Sequence, residues 1–149
     1  MGRVIQTEGV GKRRQHLLRL IGTALRRLMV QTSPDERTLD LAAFIALALR
    51  DVVATVEEAT RAWEKRDYWV KADRFRMEWN WAESLGKALE KAVMAKDWDE
   101  IARLAGKIFV HVGNVKIPKR FKAGEPWEGA YRNLVERFGE DDHVGGKED

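Results

Sequence analysis

The chain of 149 residues has 44% hydrophobic side chains, six Trp among them, which is enough apolar material for one compact domain. It has no Cys, which excludes a disulfide framework and thiolate metal sites; no apolar stretch of signal-peptide type follows Met1, so a cytoplasmic location is expected. The formal net charge of +3 hides an uneven layout: residues 1–33 carry +6, 34–102 carry −4, 103–139 carry +5 and 140–149 carry −4.

Residues 1–11 show no helical period and include Gly9 and Gly11, so they read as a flexible basic arm, with a helix beginning at Lys12. From Lys12 to about Gln31, Leu17, Leu18, Ile21, Ala24, Leu25 and Leu28 fall on one half of a helical wheel, with Lys12, Arg19 and Arg26 opposite and His16 and Arg27 beside them. Ser33 is expected to cap the second helix, with Pro34 at its first position and Glu36 closing a capping box. The wholly apolar run Leu41–Leu49 is far short of the roughly 20 residues of a membrane span and reads as the buried middle of that helix.

Between Pro34 and Gly86 no Pro or Gly intervenes, so residues 34–95 form either one helix of about 90 Å or two joined tightly. Two is the better expectation, with the break near Lys65–Asp67 and Asp67 capping the next helix. That third helix, Tyr68 to about Ala95, has a core face of Tyr68, Ala72, Phe75, Trp79, Ala82, Leu89 and Val93 and a second apolar stripe of Val70, Met77 and Trp81. Asp97 with Glu100 starts a fourth helix ending near Gly113, a basic Pro- and Gly-punctuated loop covers 115–126, and a short last helix runs from Pro126 or Trp127 to Phe138. The result is an all-α bundle domain over 12–139, with four main helices, a short C-terminal helix and a disordered acidic tail at 140–149. Sixteen Arg and eleven Lys beside three Asn and three Gln is a weighting found in heat-stable proteins.

No pattern carries catalysis. Gly11-Lys12 would need a Gly where Gln6 stands and a hydroxyl where Arg13 stands to make a phosphate loop. His16, His111 and His143 stand at no ligand spacing, so no metal and no cofactor are expected, and no Ser stands beside a base in a recognisable motif. The expectation is a non-enzymatic binding or assembly subunit, and the sequence identifies no small-molecule substrate. Its leading candidate surface is cationic: Lys12, Arg13, Arg14, Arg19, Arg26 and Arg27 on the first helix, where Glu8 is the sole acid before Asp35, and Lys116, Lys119, Arg120 and Lys122 in the loop. Uncompensated cations attract phosphate backbones, so nucleic acid is the leading partner, while a membrane surface is disfavoured because the bundle core explains the helix's apolar side. The alternative is a protein partner or a homodimer at Trp69, Val70, Arg74, Met77 and Trp81; Trp69 and Trp81 would line a groove beside Arg74 and Arg76 that could equally stack nucleobases or take an apolar anchor from a protein.

Overall fold

An unbroken apolar run must be covered from every side, and every residue from Leu41 to Leu49 except the half-buried Phe44 is buried. The computed structural model describes residues 2–139, with side chains from Gly9 onward; the tail at 140–149 lies outside them. Among the described residues the elements are α1 (Gly2–Met29), α2 (Glu36–Glu64), α3 (Trp69–Met94), α4 (Trp98–Val112) and α5 (Ala130–Leu134), the last continuing as a π-helical turn over Val135–Gly139, with no strand. The central α2 packs on α1, α3 and α5, and α4 bridges α3 and α1. Alanines at 42, 43, 46 and 48 let these neighbours approach α2 closely. At Gly86 of α3 a Cβ would stand 3.2 Å from Leu49 Cβ, so the glycine lets α2 and α3 cross there more closely than a larger residue would without Leu49 giving way. No helix among the described residues is long and apolar enough to cross a membrane.

Residues 34–95 are two helices, and the break falls where expected, at Lys65–Tyr68. The turn closes by Tyr68 N–H donating to Trp63 O at 2.9 Å and Asp67 N–H to Glu64 O at 2.9 Å, with Asp67 left-handed at φ 65°. Asp67 therefore ends α2 rather than capping α3, which has no side-chain cap. The same device recurs at Lys96 (φ 53°), where Asp97 N–H donates to Ala92 O and Lys96 N–H to Val93 O. Asp97 then caps α4 as expected, accepting from Glu100 N–H at 3.2 Å.

Three boundaries differ from expectation. Helix α1 starts at Gly2, so residues 2–11 are helical rather than an irregular arm; Val10 is 4% exposed and ties this stretch to the bundle, outweighing the roughly 1 kcal/mol that each helical Gly costs. The cap of α2 is Asp35, whose carboxylate accepts from Thr38 N–H at 3.0 Å and is held below the usual range by that bond, while Ser33 contributes its carbonyl to the Thr38 hydroxyl. The last helix starts at Ala130, because Gly129 is left-handed (φ 75°) and the 126–129 turn buries Trp127 edge-on to Phe44. Tyr68, assigned to the α3 core face, is half-exposed because it lies at the helix end.

Candidate functional site

The loop after α4 alternates apolar and charged residues, and the structure resolves that alternation into an inner and an outer side. Val115, Ile117, Phe121 and Ala123 are half-buried, whereas Lys116, Lys119, Arg120 and Lys122 are exposed. Ile117 reaches α1 at Gly22, where its Cδ1 would be 3.1 Å from an added Cβ, and Phe121 meets the ring of His16 edge-on at 5.6 Å. Gly22 and His16 flank Arg19, so residues 117–121 cross α1 over Arg19. Consistent with that cover, Arg19 is half-buried and its Nε is shielded without a hydrogen-bond partner among the described residues. Further along, Trp127 lies under the guanidinium of Arg27 at 4.9 Å. The two basic segments are thus brought onto one side of the bundle.

Of the ten cations singled out, eight belong to this surface. Lys12, Arg26 and Arg27 are exposed on α1, and among the described residues neither they nor Arg19 nor the four loop cations have a carboxylate at ion-pair distance. The other two are committed elsewhere. Arg13 pairs with Glu58 of α2 at 3.0 Å, a partner that inspection of α1 alone does not supply. Arg14 turns toward the core side of α1, donating to Thr55 Oγ1 at 3.1 Å and Thr55 O at 3.3 Å and lying 4.9 Å over Phe75. Its burial pulls the guanidinium below its ordinary pKa.

The aromatic-rich segment is divided between core and surface. Five rings form a contiguous series from α2 to α4: Trp63 to Phe75 (5.0 Å), Phe75 to Trp79 (6.1 Å), Trp79 to Trp81 (5.9 Å) and Trp81 to His111 (4.3 Å, planes within 3°). Trp69 is outside it and exposed, as are Val70, Arg74 and Met77. No groove joins Trp69 to Trp81: twelve residues separate them by about 18 Å of helix, and Trp81 is occupied by His111. Arg76 points away too, donating to Glu64 at 2.7 Å and Glu57 at 3.4 Å; the Glu64 bond raises its pKa and lowers that of Glu64. Nothing in the sequence singles out His111 as a stacking partner, because α3 and α4 meet only in the folded chain.

Among the described residues no group of three or more His, Asp or Glu is placed to hold a metal ion. No family model matches the chain, and neither curated proteins nor solved structures provide a match.

Proposed function

We propose that this protein binds the phosphate backbone of nucleic acid, with little sequence preference, through the composite surface of α1 and the 115–126 loop. The observation that carries the reading is the crossing of α1 by that loop at His16 and Gly22, which brings the segment bearing Lys116, Lys119, Arg120 and Lys122 onto the helix that bears Lys12, Arg26 and Arg27. Cations with no carboxylate at ion-pair distance among the described residues release condensed counterions from a polyanion when they bind, which is the main source of non-specific affinity. The surface offers long flexible Lys and Arg donors, which contact phosphates and so position a strand without identifying it. The reading predicts that protein isolated at low ionic strength carries nucleic acid that high salt removes; protein that is free of it and fails to retard any oligonucleotide in a gel contradicts the proposal.

A second reading, a protein partner or a second copy at α3, is favoured by one observation: Val70 and Met77 are 65% and 76% exposed with Trp69 beside them. It concerns a different side of the molecule, so the two readings are separable by mutation.

A further inference from the structure

A cleft of about 620 Å³ opens where α1 begins and α2 ends, and it lies on the side of α1 facing away from Lys12, Arg19 and Arg26. Its walls include four cations, Arg14, Arg61, Lys65 and Arg66, and two rings, Trp63 and Phe75. Among the described residues none of the four cations has a carboxylate at ion-pair distance, and the acid in the lining, Glu58, is already neutralised by Arg13. The C-terminal dipole of α2, equivalent to about half a negative charge, offsets only part of this excess. Arg14 is fixed in place by its two bonds to Thr55.

We infer that this cleft binds a nucleoside phosphate, with the base against Trp63 and Phe75 and the phosphates on Arg61, Lys65 and Arg66. A flat apolar ring system and an anion at one end are the two features such walls recognise together: a base meets the ring surface that Arg14 over Phe75 and Lys71 over Trp63 leave open, and guanidinium groups take phosphate in charge-assisted bonds. The volume lies within the roughly 300–1,000 Å³ range of small-ligand sites. Arg61 and Lys65 are four residues apart and share one face at the last turn of α2, so both reach the same anion. The site does not depend on the nucleic-acid reading, because it uses none of the eight cations of that surface.

Gly11 provides the test. It lines the cleft, and nothing lies within 4 Å of a Cβ built on it, so the side chain of Gly11→Leu starts in open space at the cleft wall and should narrow the cleft, and the change removes a helical glycine. Isothermal titration of the full chain at low salt with ADP, adenosine and pyrophosphate should show ADP binding at least about tenfold tighter than either fragment. Gly11→Leu should weaken ADP about tenfold or more without lowering the melting temperature, and the double variant Lys65→Glu/Arg66→Glu should do the same even if Gly11→Leu folds poorly. Lys12→Glu/Arg26→Glu should bind ADP as the wild type does, although its nucleic-acid binding falls. The inference is overturned by no ADP binding at about 1 mM, by pyrophosphate binding as tightly as ADP, or by unchanged affinity in both cleft variants.

Discussion

The carboxylate of Asp40, on α2, accepts from Tyr131 N–H at 3.0 Å and from Gly129 N–H at 3.1 Å, so a side chain of the central helix caps the first turn of α5. This bond pair fixes the far end of the segment that carries the basic loop; the near end is fixed by α4. Between these two anchors the loop lies on α1 through Ile117 and Phe121.

Asp40→Ala leaves two amides at the start of α5 without their acceptor and should lower stability by about 1 kcal/mol, the usual worth of a helix cap. Hydrogen exchange checks the mechanism: amides 129–134 should lose protection first, while those of α2 and α3 keep theirs. Uniform loss across the molecule would mean that Asp40 acts on the core rather than as a cap.

The two left-handed residues that end α2 and α3 predict a gain. Lys96, at φ 53°, has a side chain in a conformation that costs roughly 1–2 kcal/mol for residues other than Gly, part of which Gly returns as extra freedom in the unfolded chain. Lys96→Gly should therefore raise stability by about 0.5–1 kcal/mol in urea unfolding, and Asp67→Gly by less, since Asp tolerates this region better. A loss in both variants would contradict the turn assignment.

These turns also explain what could be read from the chain and what could not. The break at Lys65–Asp67, the run Leu41–Leu49 and the Asp97 cap were legible because length, hydrophobic pattern and capping chemistry are local. The early start of α1 was not, because the burial of Val10 depends on neighbours distant in sequence and overrides two glycines. The cationic residues were legible as a composition, but Arg14 and Arg13 could be separated from the rest only once α2 supplied Thr55 and Glu58. The stack of Trp81 on His111 needed α3 and α4 together, as did the separation of Trp69 from Trp81.

The bond from Arg76 to Glu64 ties α3 back to the end of α2 and holds the Glu64 pKa below its ordinary value. Its contribution is therefore fully present above the unfolded value of about 4.5 and is lost as pH falls through the lower folded value. Glu64→Gln should be less stable than the wild type at pH near neutrality, with the gap between their urea midpoints narrowing as the solution is acidified below the unfolded value. A gap that does not change with pH would assign the effect to packing instead of charge.

If the exposed α3 stripe is an interface, Val70→Lys/Met77→Lys should remain folded and convert a wild-type dimer to a monomer in light scattering. A wild-type monomer across the accessible concentration range removes that reading and leaves Val70 and Met77 as solvated surface.

The central claim, that α1 and the loop form one phosphate-binding surface, is tested most directly by fluorescence anisotropy of a labelled mixed-sequence oligonucleotide between about 50 and 200 mM salt. Wild type, Lys12→Glu/Arg26→Glu, Lys119→Glu/Arg120→Glu and the uncharged Gly22→Leu, whose side chain would meet Ile117 and should loosen the loop from α1, are compared. A single composite surface should give salt-sensitive wild-type binding, a shallower salt slope by about 2 in each charge-reversal variant, and weaker binding in Gly22→Leu although its charge is unchanged. Absence of wild-type binding at the lowest salt, or charge-reversal variants that bind as the wild type does, would contradict it.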